Sequence, residues 1–240
     1  MNVEFYVWVY NNINMKKAFL LTIFISLLLL LSAASSHQPR IVSDEITFIE
    51  NPEVSQAFYG NLKGKPDYYK IRSEEEFKLY VGILVPDLEN IDKDVSVEVF
   101  YEHGEEENDN HEDKPVILLN GLEYNWTRYF EEFAGDHYYS GPEKSLYADA
   151  GTYNIKVYSP DNEGKYALVV GEKEEFSLNE IINTILTLPA LKKDFFEKSP
   201  LTAYFNLIGV FLIIFIVLIL AVAVAVYKIS KKFLRKDKGK

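Results

Sequence analysis

Residues 150–171 read AGTYNIKVYSPDNEGKYALVVG, and they contain the clearest strand pattern in the chain. Tyr153 to Tyr158 and Lys165 to Val170 are short runs rich in β-branched and aromatic residues, which favour β-strands. Between them lies Ser159-Pro160-Asp161-Asn162-Glu163-Gly164, whose residues favour turns. The stretch therefore predicts two strands separated by a turn.

The same pattern recurs in four earlier segments. In Val95-Ser96-Val97-Glu98-Val99 the apolar side chains alternate, so all of them fall on one face of a strand. Residues 41–172, about 130 in number, are enough for one domain with its own core. Many short strands with turn residues between them predict a mainly β domain, an antiparallel β-sandwich. The four segments are Tyr68 to Ile71, Phe77 to Val85, Val95 to Tyr101 and Val116 to Leu119.

The N-terminal segment has the layout of a secretory signal. Lys16 and Lys17 precede the apolar run Ala18 to Leu31, and small residues follow at 32–36. We therefore predict a signal peptide over residues 1–36. Residues 1–14 would lie upstream of the true start if translation begins at Met15. An uncleaved signal anchor is the alternative, because the run is short for a membrane span.

The C-terminal segment predicts a membrane helix. Leu207 to Tyr227 holds no charge, and at 1.5 Å per residue it would cover about 31 Å, close to the thickness of a hydrocarbon core. We predict a transmembrane helix over 204–227. The tail, 228–240, carries seven basic residues and only Asp237 as an acid, which predicts a cytoplasmic tail. The protein would then cross the cell membrane once, with the lipid bilayer as a partner and the β domain outside.

The charge of the predicted exported region limits its partners. Residues 37–200 hold 34 acidic and 16 basic residues, a net charge of about −18. Such a field repels phosphate backbones, so nucleic acid is not expected as a partner. The chain has no cysteine, so the domain must be held by its core rather than by disulfides.

The segment 173–200 predicts an amphipathic juxtamembrane helix. Apolar residues recur there at helical spacing, with Ser177 as a plausible N-cap and Glu180 three residues later. Pro189 predicts a break, with a second short piece from Ala190 to Glu197.

Residues 121–147 are rich in aromatic side chains and longer than a hairpin loop requires. Part of this set should be core, and the rest could form a contact surface, since exposed tyrosine and tryptophan are common at interfaces. Asn125-Trp126-Thr127 also matches the glycosylation acceptor pattern at Asn125. The candidate binding surface comprises Tyr124, Trp126, Tyr129, Phe130, Tyr138 and Tyr139.

Several motifs together resemble the bacterial pre-peptidase C-terminal domain. They are Phe58-Tyr59-Gly60-Asn61-Leu62, Pro66 to Ile71, Val97 to Tyr101, Ala150 to Val157 and Gly164 to Val169. The resemblance covers about half the chain, and its most specific part is the Gly-Thr-Tyr strand followed by the Gly-x-Tyr strand. It implies a jelly-roll-like β-sandwich that serves as an accessory or binding module. Tyr153 and Tyr166 are expected to pack as aromatic partners near the starts of these strands.

Some members of that family bind calcium, and the resemblance makes calcium a candidate cofactor here. Asp92 and Asp94 are the candidate ligands, with Asp87, Glu89 and Glu98 near in sequence. Calcium takes six to eight oxygen ligands, and no twelve-residue calcium loop is present. The competing interpretation is that these are solvated loop carboxylates, as is the acidic run His103 to Lys114.

The sequence contains no recognisable catalytic motif. His137 beside Asp136 could act as a base, but no placed nucleophile accompanies it. We therefore expect a prokaryotic, membrane-anchored, non-enzymatic binding or accessory module whose partner is another membrane or cell-surface protein or a glycan. The alternatives are a metal-assisted extracytoplasmic hydrolase using Asp136, His137 or the acidic loop, and a passive cell-envelope structural component.

Overall fold

The computed structural model describes residues 37–102, 114–132, 134–175 and 177–237. The predicted signal peptide, 1–36, and most of the acidic loop, 103–113, lie outside the described residues. The strands belong to a compact unit that spans Ser36–Val210, and the chain from Phe211 onward belongs to a second unit.

The first sheet, sheet A, has six strands in the order β1-β3-β11-β5-β9-β8. Neighbouring strands are antiparallel, except that β1 runs parallel to β3. The register of β5 against β9 shifts between Gly82 and Leu84, a β-bulge. The strands are β1 (Gln38–Ile41), β3 (Gln56–Lys63), β5 (Phe77–Pro86), β8 (Thr127–Glu131), β9 (Asp136–Ala148) and β11 (Glu163–Val170).

The second sheet, sheet B, has five strands in the order β2-β4-β10-β6-β7. Here β2 runs parallel to β4, and the other pairs are antiparallel. The strands are β2 (Ile46–Ile49), β4 (Asp67–Ser73), β6 (Ser96–Tyr101), β7 (Ile117–Leu119) and β10 (Gly151–Tyr158).

The predicted β-sandwich is confirmed: two curled sheets form a jelly-roll-like sandwich. The six strands predicted from alternation all occur, within two residues of the expected ends. Two edge pairs depart from the antiparallel pattern, since β1 pairs with β3 and β2 pairs with β4 in parallel. Strands β1 and β2 have only four residues each, too few for a clear alternation, and their direction depends on partners that are distant in sequence.

The core lies between the sheets and is built by side-chain alternation. Val97 and Val99 of β6 and Ile155 and Val157 of β10 are all fully buried. Removing such apolar surface from water contributes about 25 cal/mol per Å² to folding. Leu168 joins them from sheet A, so both sheets contribute to one core.

Tyr166 is placed differently from the sequence expectation. Its hydroxyl hydrogen-bonds with that of Tyr69 at 2.7 Å and donates to Asp67 at 2.6 Å. Tyr153 lies in the other sheet and packs edge to face against Phe77 and Tyr101. The expected Tyr153–Tyr166 pair was therefore wrong, because consecutive strands β10 and β11 belong to different sheets.

After the sandwich the chain is helical. Helix α1 (Leu178–Ala190) begins at Ser177, whose side chain accepts a hydrogen bond from the Glu180 amide at 3.2 Å. The helix continues through Pro189 into a π-helical turn, Leu191–Phe195, so the predicted break was wrong. The Ile185 carbonyl oxygen, which lacks an amide partner because residue 189 is a proline, accepts a hydrogen bond from the Tyr204 hydroxyl. A 3-10 helix, Pro200–Tyr204, follows.

The last element is helix α2 (Leu207–Asp237). Its N-terminus is capped by Asn206, whose side-chain oxygen accepts a hydrogen bond from the Gly209 amide at 3.2 Å. Leu207–Val224 has a mean hydropathy of 3.5, so α2 is long and apolar enough to cross a membrane. Tyr204 ends the 3-10 helix and so lies outside α2, although the predicted span included it.

Candidate functional site

A concavity lies where β1 and β2, neighbours in sequence, form adjacent edges of the two sheets. Its volume is about 450 Å³, within the range of small-ligand sites. The start of α1 closes one side, through Ser177 and Glu180. We call this concavity the edge cleft. It is lined by Gln38, Arg40, Ile41, Thr47, Phe48, Glu50, Asn51, Val54, Gln56, Phe58, Glu175, Ser177 and Glu180.

One wall of the edge cleft is a set of polar side chains held in place by hydrogen bonds. The amide of Gln38 donates to the Glu175 carbonyl oxygen at 2.7 Å, and its oxygen accepts from Arg40 at 2.7 Å. Arg40 also pairs with Glu180 at 2.9 Å. These contacts join β1 to the start of α1, so the wall is preorganised.

The opposite wall is shaped by Gln56 and the turn before β3. The Gln56 amide donates to the Glu50 carbonyl oxygen at 2.9 Å. Asn51 in this turn has φ of 51°, a left-handed conformation that asparagine tolerates. The hydroxyl oxygen of Thr47 is buried without a hydrogen-bond partner. An unsatisfied buried hydroxyl costs roughly 1–3 kcal/mol.

The rim of the edge cleft is apolar, whereas the lining as a whole carries a net negative charge. Phe48 is 68% exposed and Ile41 is 52% exposed, while Phe58 is buried at the floor. Arg40 is the single base among the lining residues, against the acids Glu50, Glu175 and Glu180. The cleft can therefore accommodate an extended, neutral or basic group that offers hydrogen bonds and an apolar contact.

Four of the six predicted contact residues lie in β8 and β9, and Tyr124 and Trp126 lie in the loop before β8. Residues 121–147, which were predicted to be longer than a hairpin loop requires, contain β8 and most of β9. Tyr129 lies opposite Tyr138, and Arg128 lies opposite Tyr139. Because successive side chains alternate, Tyr129 and Phe130 point to opposite faces. These residues therefore do not form one continuous surface, and binding by any of them stays a prediction.

Exposure separates these residues further. Tyr138 is buried under the π-helical turn, edge to face with Phe196. Trp126 packs against the main core and donates to the Gly121 carbonyl oxygen at 2.8 Å, and Tyr139 also packs on that core. Tyr124, Tyr129 and Phe130 are the exposed members. Asn125 is exposed in the loop before β8, where a glycan could be attached.

The predicted calcium ligands lie in the loop before β6. Burial and the neighbouring charges of Asp92 and Asp161 raise the pKa of Asp94 above its ordinary value. One Asp94 carboxylate oxygen is buried without a partner. Within the described part of the chain, no three acidic or histidine side chains converge as a metal site would require. Calcium binding at Asp92 and Asp94 therefore stays a prediction without a complete ligand set.

Asp136 and His137 do not form a catalytic pair. They are consecutive in β9, so their side chains point to opposite faces of sheet A. The ring of His137 lies 4.6 Å from that of Phe130, between centroids. The Asp136 carboxylate contacts Lys192 and Lys198 instead.

The cluster around Asp136 was not predicted. The side chain of Asp136 is 0% exposed and that of Lys192 is 2% exposed. Lys192 contacts Oδ2 of Asp136, and Lys198 contacts Oδ1 at 2.9 Å. Lys192 also donates to the Ala134 carbonyl oxygen at 2.7 Å. In the sequence Lys192 precedes Lys193 on an amphipathic segment and looks like a solvated charge, so no local signal identifies it.

Comparison with known proteins identifies no family. No family model matches the chain, and no curated protein matches it. Among solved structures, the pre-peptidase C-terminal domain of collagenase from Bacillus anthracis has a TM-score of 0.33 and 15% identity, covering 54% of this chain and 96% of that chain. CorA, a surface-associated copper-binding protein of Methylomicrobium album BG8, has a TM-score of 0.28 and 7% identity, covering 56% of this chain and 100% of its own. Similarities this weak say nothing about what the chain does.

Proposed function

We propose that this protein is a single-pass membrane protein whose extracytoplasmic β-sandwich is a non-catalytic binding or accessory module. The observation that carries the proposal is the edge cleft, a concavity of about 450 Å³ with a preorganised polar wall. Its ligand is an extended, neutral or basic segment of another membrane or cell-surface protein.

The lining chemistry supports a peptide ligand. Carboxylates and amides offer hydrogen-bond acceptors and donors to a main chain, and Phe48 offers an exposed ring for one apolar side chain. The excess of acids over Arg40 in the lining favours a basic segment by charge complementarity. A glycan is the competing ligand class, because aromatic and amide groups also contact sugars.

The membrane topology rests on three segments. The predicted signal peptide exports the sandwich, helix α2 provides the span, and the basic tail stays in the cytoplasm. The motifs at Gly60, Gly151 and Gly164 support membership of the pre-peptidase C-terminal family, as part of the same proposal.

Site-specific photocrosslinking tests the edge cleft. A photoreactive phenylalanine analogue replaces Phe48 in the full-length protein, and the irradiated cells are extracted in mild detergent. The matched control carries the analogue at Leu118, which is also exposed but lies in β7, at the other edge of sheet B. We expect a discrete covalent adduct with one cell-surface protein at position 48 and none at position 118.

Other results would contradict the proposal. Adducts at neither position support the passive structural component. A glycan adduct at position 48 would show that the ligand is a sugar and not a peptide. An adduct at position 48 with a cleaved fragment of a larger molecule favours the hydrolase.

The lack of cysteine makes the topology directly testable. Single cysteines are placed at Leu118 and at Lys231, and intact cells are treated with a membrane-impermeant maleimide. We expect labelling at position 118 in intact cells and at position 231 only after permeabilisation. The reverse pattern, or labelling of both in intact cells, contradicts the proposed orientation.

A further inference from the structure

The contact between Asp136 and Lys192 is sealed from solvent. Asp136 begins β9 of sheet A, and Lys192 lies in the π-helical turn, 56 residues away. Phe196, itself buried, covers both lysines, with its ring centroid 5.7 Å from Lys192 Nζ and 5.5 Å from Lys198 Nζ. An amine and a carboxyl group are therefore held in contact, with water largely excluded.

The carboxylate of Asp136 is shared by two lysines. Lys192 contacts one of its oxygens and Lys198 contacts the other. The Lys192 nitrogen therefore lies next to the carboxyl carbon, while the second oxygen keeps its own hydrogen-bond donor. The two groups that an amide would join are already in contact.

We propose that Lys192 and Asp136 condense to form an intramolecular amide bond, a covalent cross-link between the helical segment and sheet A. Lys198 is the group that activates the carboxylate, since its ammonium contacts Oδ1 at 2.9 Å while Lys192 contacts Oδ2. Proximity in a fixed geometry is the main contribution that a protein makes to such a reaction.

The step balances without an outside reagent. Within the contact, Lys192 Nζ transfers one proton to Oδ2 of Asp136, and the lone pair left on Nζ forms a bond to Cγ. The bond between Cγ and Oδ2 breaks, and its electron pair goes to oxygen. Oδ2 leaves as water with the transferred proton and a second proton from the attacking nitrogen, while the Lys198 ammonium polarises the bond between Cγ and Oδ1 and keeps its protons. The side chain of Lys198 is 41% exposed, so it connects the cluster with solvent.

The cross-link would do what a disulfide does in other exported domains. It would join residues that are distant in sequence and so restrict the unfolded chain. This chain has no cysteine. The helical segment leads directly to Asn206 and helix α2, so the bond would lie between the sandwich and the start of the apolar helix.

Mass spectrometry of the full-length protein tests the proposal. Trypsin should release residues 129–144 and 174–193 as one covalently linked species, lighter than the two separate peptides by one water. Lys192→Arg keeps the positive charge but cannot form this amide. After correction for the substitution, its intact mass should exceed that of the wild type by one water. Lys193→Ala, at the exposed neighbouring lysine, should keep the wild-type deficit.

The digest of the wild-type protein can also overturn the proposal. Recovery of residues 129–144 as a free peptide from the folded wild-type protein, with no linked species, shows that the contact is only an ion pair. The wild-type digest decides this even if Lys192→Arg fails to fold.

Discussion

The hydroxyl group of Tyr204 donates a 3.1 Å hydrogen bond to the main-chain carbonyl oxygen of Ile185. In a regular α-helix this carbonyl would accept from the amide of residue 189, which is a proline and has no N–H. The 3-10 helix thus supplies the donor that α1 lacks. The side chain of Tyr204 therefore explains why α1 continues through Pro189 into the π-helical turn.

Replacing Tyr204 by phenylalanine should lower the free energy of unfolding by about 1 kcal/mol, since one hydrogen bond to a helix carbonyl is lost. Urea unfolding of the full-length protein in detergent, followed by fluorescence of the core-packed Trp126, measures the change. Tyr147→Phe is the matched control, because the Tyr147 side chain is mostly exposed. Equal losses in both variants would show that the Tyr204–Ile185 hydrogen bond contributes nothing.

Gly60→Ala should destabilise the sandwich by about 1–3 kcal/mol, the usual cost of overpacking a core. A methyl group at this position would overlap the buried ring of Tyr166. Gly82→Ala should cost less, because its nearest neighbour is the tip of the Tyr80 side chain at 3.0 Å. Thermal unfolding of the wild type and of both variants gives their relative stabilities. A Gly60→Ala protein as stable as the Gly82→Ala protein would contradict the packing argument.

Thr47→Val should raise the free energy of unfolding by about 1 kcal/mol, because valine removes an unsatisfied buried hydroxyl and keeps the β-branched shape. Thr202→Val should have the opposite effect, since the Thr202 hydroxyl donates to the Ser199 carbonyl oxygen at 2.7 Å. Denaturant titration of both variants tests the signs. A loss of stability in Thr47→Val would mean that its hydroxyl has a partner in solution.

Asp94→Asn should stabilise the protein at pH 7, and the advantage should disappear in acid. The pKa of Asp94 is raised in the folded state by burial and by the charges of Asp92 and Asp161. A raised pKa means that the folded state binds the proton more tightly, so the wild type loses stability as pH rises from the ordinary value of 3.8 through the folded-state pKa. Below that ordinary value the two proteins should be equally stable.

The experiment is a series of thermal melts from pH 3 to pH 7 in buffer with a chelator. Asp161→Asn is the counterpart, because hydrogen bonds from the Glu163 amide and Ser159 lower the pKa of Asp161 and its charge favours folding near neutral pH. Repeating the melts with added calcium tests the predicted ion. A rise in the wild-type melting temperature that Asp94→Asn abolishes would assign calcium to Asp92 and Asp94.

Local patterns predicted most elements of this fold. Alternation in 95–101 and 153–158 predicted β6 and β10, and Ser177 predicted the start of α1. These predictions succeed because alternation and capping depend on residues within one or two turns of each other. Strands β8 and β9 were missed because adjacent aromatic residues, Tyr129-Phe130 and Tyr138-Tyr139, hide which positions face the core.

The edge cleft was not predicted from the sequence. Gln38, Arg40 and Glu180 carry no motif, and they meet only because β1 pairs with β3 and α1 packs near β1. Likewise, Asp136 and Lys192 each resemble ordinary surface charges in the sequence. Their burial depends on how the helical segment folds over sheet A, which no local pattern encodes.

The class of the domain, the position of the apolar helix and the acidic charge of residues 37–200 can be read from the sequence, because they follow from composition and short-range periodicity. Which edges pair in parallel, which aromatic side chains are buried and which charges meet can be read only from the fold. Those outcomes depend on contacts between residues far apart in the chain, where Tyr166 meets Tyr69 and Asp136 meets Lys192.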